Sequence, residues 1–207
     1  MLFRSGEGAG GRRAKNGESS SRVAAEAAQA AAAVRHAFEE GRLDLMTDYE
    51  FAQFLALLAD LLKRGDFSDV GTKEAVSAVA TLMATPGERV LKPRESFEAL
   101  VKGLTQLLGK LDDEVPADGR GGEETEGAQL AAEAVYNILA HDDARYRVLA
   151  SLPAGEVATL LKNLLPLLAS GERDTLVPAT RSLTLVLEED EGRRRALSAL
   201  KDSALRG

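Results

Sequence analysis

Apolar side chains recur at steps of three and four along most of this chain, the period of helices that bury one face. The stretch 128–168 shows it best: Leu130, Ala134, Val135, Ile138 and Leu139 form one stripe, and two further helical runs follow at short spacing. Upstream, a helix is predicted over 49–63 with Phe51, Phe54, Leu55, Leu58, Leu61 and Leu62 inward. Thr47 followed by Glu50 fits a capping box at its start, and Gly65 closes it. A helix over 72–83 presents Val76, Val79, Ala80 and Met83, after which Pro86 and Gly87 interrupt the chain. Pro93 suits the first turn of a helix over 94–111, whose buried set is Phe97, Leu100, Val101, Leu104, Leu107, Leu108 and Leu111. Asp174 is a suitable cap for a helix over 175–187 with Leu176, Leu183, Val186 and Leu187 inward, and a half-polar helix over 191–204 follows.

Three segments lack that stripe. Residues 1–21 are rich in Gly and Ser, carry Arg4, Arg12, Arg13 and Lys15, and offer almost nothing to bury, so a disordered tail is expected. Residues 22–40 are dominated by Ala, with Ser19 to Ser21 as N-caps and Gly41 as a left-handed terminator, which predicts a capping helix. Residues 112–127 hold seven acidic residues and four Gly with no hydrophobic period, which predicts a flexible acidic loop inside a folded region spanning 22–207.

The helical runs resemble one another. AEAVYNILAHDDARYRVL aligns without a gap to TRSLTLVLEEDEGRRRAL, 48 residues later, with Leu139 on Leu187 and Leu149 on Leu197. LVKGLTQLL at 100–108 matches LLKNLLPLL at 160–168 with a shift of 60, the acidic loop supplying the extra length, and FLALLADLL at 54–62 is a weaker third copy. Self-similarity of roughly 40–47 residues is the mark of helical solenoids.

The string AVYNILAHDDARYRVL followed by EVATLLKNLLPLL resembles an armadillo repeat: a third helix ending in Asn, an acidic turn, a short first helix and a Leu-rich second helix. The resemblance covers about 48–200 and implies an all-α, right-handed α-solenoid of about three degenerate armadillo/HEAT-like repeats with a capping N-terminal helix. It also implies a concave face of third helices that binds a protein or an extended peptide segment. Asn137 stands at the family's Asn position, with Thr81 and Leu185 as its equivalents, and the family's Trp sites fall on Ser77, Glu133 and Arg181. The candidate protein-binding residues are therefore Asn137, Glu133, Arg181, Thr81 and Ser77. The interrupted Asn and Trp ladder argues against importin-like capture of basic cargo. Because three units are near the minimum for a solenoid, self-association through the solenoid ends is a further expectation.

Composition narrows the picture. Aromatics are 4% and Trp is absent, so burial falls to Leu, Ala and Val, the residues of helix-on-helix packing. The net charge of −7 opposes nucleic acid and anionic lipid as partners. No apolar run reaches the roughly 18 residues a membrane span requires. The lack of Cys fits a reducing compartment, so a cytoplasmic address is expected, with the nucleus as the alternative and organellar targeting, suggested by the Arg- and Ser-rich start, as a lesser one.

No catalytic pattern emerges. His141, Asp142 and Asp143 contain metal-ligating groups, but the two Asp are better placed as caps of a short helix starting near Ala144. Arg145 and Arg147, with Arg193 to Arg195 at equivalent places, suggest a basic strip, for which neutralisation by Glu188, Glu189, Asp190 and Glu191 is the simpler reading. The expectation is a non-catalytic binding module or scaffold without cofactor or metal. The alternative is a regulator of an enzyme partner, a chaperone cofactor or a small-GTPase regulator.

Overall fold

The structure, a computed structural model, describes Ala32, His36 and residues 40–41, 45–67, 69–84, 88–111, 122–169 and 172–204; for 122–125 and 199–204 only the backbone is described. The tail at 1–21, most of the helix expected over 22–40 and residues 112–121 lie outside the described residues. Gly41 has φ +66°, and the Glu40 N–H donates to the His36 carbonyl at 3.0 Å, the left-handed helix end anticipated there.

Local chemistry starts the helices. α1 (Asp48–Arg64) opens on the capping box: Thr47 Oγ1 accepts the Glu50 N–H at 3.3 Å, and the Glu50 carboxylate accepts the Thr47 N–H at 2.8 Å. Its buried face is Phe51, Phe54, Leu55, Leu58, Ala59 and Leu62, with Leu61 only half-buried. α2 (Val70–Ala84) begins earlier than its hydrophobic period suggests, because the Asp69 carboxylate accepts the Thr72 N–H at 3.0 Å and the Thr72 hydroxyl at 2.9 Å. The short α3 (Glu88–Leu91), not anticipated, buries Val90 and Leu91 before Pro93 introduces α4 (Arg94–Leu108). Then come α5 (Gly122–Ala140), α6 (Asp142–Ser151), α7 (Ala154–Leu164) with a 3₁₀ turn over Pro166–Ala169, α8 (Arg173–Glu188) and α9 (Asp190–Ala204).

Some sequence expectations need correction. Residues 122–127 of the segment expected as an acidic loop belong to α5, and the rest of that segment lies outside the described residues. Asp142 and Asp143 lie in the first turn of α6 and are not its caps; His141 holds the cap position, and Asp142 accepts Arg145 Nη2 at 2.7 Å. Asp174 likewise sits in the first turn of α8, behind Glu172. On α8 the buried face is Thr175, Pro178, Ala179, Ser182 and Val186, whereas Leu176 and Leu183 are half-buried and Leu187 is exposed. Leu187 has the spacing of a buried position but is 45% exposed among the described residues.

The protein is all-α, with no strand among the described residues. α1 packs along α4 and α4 against α7, while α2 packs against α5 and α5 against α8. α5 is thus flanked on two sides, and its buried positions are correspondingly small: Gly127, Ala128, Ala131, Ala132 and Ala134, with Val135, Ile138 and Leu139. α6 and the segment Ala154–Ala169 are bent by 120° relative to each other, and α9 packs on α7 and α8. One hydrophobic core joins all of these elements, from Phe51 to Val186. Among the described residues no single helix is long and apolar enough to cross a membrane.

Candidate partner-binding face

The five candidate residues lie in the layer formed by α2, α5 and α8: Ser77 and Thr81 on α2, Glu133 and Asn137 on α5, and Arg181 on α8. Thr81, Glu133 and Arg181 are exposed, and Ser77 and Asn137 are half-buried. Exposed positions on these helices continue at helical spacing through Ala84, Glu126, Ala140, Thr184 and Glu188.

Much of the polarity here is already engaged. Asn137 Nδ2 donates to the Ala80 carbonyl at 3.0 Å, tying α5 to α2, so one arm of its amide is committed to the fold. The Thr81 hydroxyl donates to the Ser77 carbonyl at 2.9 Å, and that of Thr184 to the Thr180 carbonyl at 3.0 Å. The Arg181 guanidinium lies 5.6 Å from the centroid of the Tyr136 ring, a cation–π contact from α8 to α5. Sequence reading passed over Tyr136 because it falls between the inward stripe and Asn137. Its signal is an aromatic side chain beside the buried face, left partly exposed.

The suggested basic strip does not exist as a free cationic surface. Arg145 Nη1 donates to the Leu139 carbonyl at 2.9 Å, and Arg193 Nη1 to the Leu187 carbonyl at 3.1 Å; Asp142 and Asp190 accept their second arms. Each arginine thereby binds a carbonyl at the C-terminal end of the helix before its own, where acceptors lack intrahelical partners. A second series was missed. Arg89 on α3 donates to the Met46 carbonyl, Arg147 on α6 to the Leu91 carbonyl, and Arg195 on α9 to the Leu152 carbonyl at 2.6 Å. In sequence these residues begin Arg-Val-Leu, Arg-Val-Leu and Arg-Ala-Leu, a signal that the length of the intervening segments disguises.

Among the described residues no group of three His, Asp or Glu side chains converges as a metal site would require. His141 points Nε2 towards the Ala84 carbonyl at 3.4 Å, one more contact from α5's end to α2. Comparison with family models, with curated proteins and with solved structures finds no match to the chain. The class of protein that the fold defines is an all-α helical protein whose α2, α5 and α8 form a layer with a polar outer side.

Proposed function

We propose that this chain is an armadillo-like α-solenoid acting as a non-catalytic protein-binding scaffold, with the outer side of α2, α5 and α8 as its contact face. The observation that carries the reading is the recurrence of one contact at successive units. Arg89, Arg147 and Arg195 each reach back to a backbone carbonyl, of Met46, Leu91 and Leu152 in turn, while α1, α4 and α7 stack in one layer and α2, α5 and α8 in another. Stacked units of this kind act through an extended, rigid surface, so binding needs side chains that project without being required by the core. Glu133, Arg181, Thr81 and Ser77 meet that condition better than Asn137, whose amide joins two helices.

The partner is a protein or an extended peptide segment, and the address is cytoplasmic. The test is a combined Ser77→Ala, Thr81→Ala, Glu133→Ala and Arg181→Ala variant in affinity capture with mass spectrometry. Loss of specific partners with an unchanged melting temperature supports the face; an unchanged partner set overturns it. Asn137→Ala is kept apart, because its expected effect includes the loss of the bond to α2.

A further inference from the structure

The contact between successive α1, α4 and α7 helices has a fixed register. When FLALLADLL, LVKGLTQLL and LLKNLLPLL are superposed, Ala59, Thr105 and Leu165 share one position, and Leu57, Gly103 and Asn163 share another. Inside the fold these two positions meet. Gly103 on α4 sits so close to α1 that a Cβ there would stand 2.8 Å from the Ala59 carbonyl, and Asn163 on α7 donates to the Thr105 carbonyl on α4 at 2.7 Å.

Among the described residues the register is left open at both ends. Leu165 is 49% exposed where its counterpart Thr105 is 5%, and Leu57, which would make the preceding contact, is 44% exposed. Elsewhere in the last unit the same change repeats: Leu168, Leu187 and Leu197 are exposed, while their counterparts Leu108, Leu139 and Leu149 are buried. At one of the two junctions a charge pair accompanies the register, whereas at the other the same positions hold Ala56 and Ser96. Lys102 on α4 pairs with Glu156 on α7 at 3.1 Å. The counterpart of Lys102 on the open side of α7 is Lys162, and that of Glu156 on α1 is Glu50, both exposed.

We propose that these two faces join head to tail between copies of this chain, placing Leu57 of one copy on Leu165 of the next and Glu50 beside Lys162. A second copy is the occupant because α1 carries, in the register used twice inside the fold, both the apolar side chain and the opposite charge that the α7 face lacks. The contact is heterologous, so each added copy leaves one face of each kind open and growth continues past the dimer. The inference rests on the stacked-unit reading and is independent of the α2, α5 and α8 face.

Sedimentation velocity of the full chain tests it. The average mass should rise with concentration beyond that of a dimer, and raised salt should weaken the association. Leu57→Asp and Leu165→Asp should each weaken it about tenfold or more while keeping the helical spectrum, since both side chains are exposed. An equimolar mixture of the two variants should associate again but stop at the dimer, because only one intact junction can form. Should Leu165→Asp disturb the fold, Lys162→Glu serves in its place, with a severalfold weakening expected. A monomer at every concentration, association indifferent to these substitutions, or a mixture that fails to re-associate would overturn the proposal. None of these results bears on partner capture by the other face, whose alanine variant should self-associate as the parent does.

Discussion

Gly127 on α5 lies directly against the ring of Phe67: a Cβ built on it would stand 2.4 Å from Cδ1 and 3.3 Å from Cβ of that side chain. Phe67 is itself buried, in the connection between α1 and α2. The glycine therefore lets α5 approach closely enough to cover an aromatic ring that the connection contributes to the core.

Two effects oppose each other in Gly127→Ala. Helix propensity favours Ala by about 1 kcal/mol, and Gly127 has no positive φ to protect. Overpacking against a fixed ring costs about 1–3 kcal/mol. Because the collision reaches the Phe67 Cβ as well as the ring, rotating the ring alone does not relieve it, and net destabilisation is expected. Urea unfolding measures it. An unchanged or raised midpoint would show that the connection yields freely.

The contact of Asn163 with α4 supports a coupled pair of substitutions. Its Nδ2 donates to the Thr105 carbonyl at 2.7 Å and would stand 2.8 Å from a Cβ on Gly109. The Thr105 carbonyl also accepts the Gly109 N–H at 3.2 Å, so removing the amide does not strand it. Asn163→Ala should therefore cost only about 1–2 kcal/mol. Gly109→Ala should cost a similar amount by displacing the amide. In the double variant the space is already cleared, so the combined loss should fall short of the sum. Strict additivity in a denaturant series would contradict the contact.

The arginines divide into two kinds. Arg195 has a side chain only 16% exposed and donates to the Leu152 carbonyl; Arg194, beside it, is 75% exposed and pairs with Glu191 at 3.4 Å. Charged-group hydrogen bonds to partly buried carbonyls are worth about 1.5–3 kcal/mol, and exposed pairs about 0–1. Arg195→Ala and Arg147→Ala should thus lower the melting temperature clearly, and Arg194→Ala should leave it nearly unchanged. Equal effects at 194 and 195 would count against the repeated contact.

How far this was legible in the sequence varies with the kind of signal. The stripe of α1 and the capping box at Thr47 and Glu50 could be read directly, because both are local and periodic. The start of α5 could not: Gly127 and its acidic neighbours carry loop chemistry, and only Phe67, sixty residues earlier, explains the glycine. The inward set of α8 was misjudged for a related reason. Leu187 has the right side chain and spacing, but burial also needs a neighbour. Of the candidate face, the helices that carry it were readable. The bond from Asn137 to Ala80 was not, since which polar groups the fold consumes depends on contacts far apart in sequence.

Acid sensitivity follows from the capping box and two ion pairs. The backbone and side-chain hydrogen bonds from Thr47 hold the Glu50 carboxyl below its usual range, the bond and charge of Lys92 lower Asp48, and the bond from Arg195 lowers Glu191. A carboxylate whose pKa is depressed in the folded state contributes stability that is complete above its unfolded pKa and is lost as pH falls through the folded one. The reference values are 4.5 for Glu50 and Glu191 and 3.8 for Asp48, so these groups leave stability flat through neutral pH and lower it as pH drops below that range. Thr47→Ala removes the donors that depress Glu50 only in part, because the Thr47 backbone N–H persists as a potential donor. Melting temperatures followed from pH 7 downwards should accordingly fall less steeply on the acid side for Thr47→Ala than for the parent, while Arg195→Ala should reduce the slope by releasing Glu191. Parallel acid limbs for the parent and both variants would show that these carboxylates do not govern the loss.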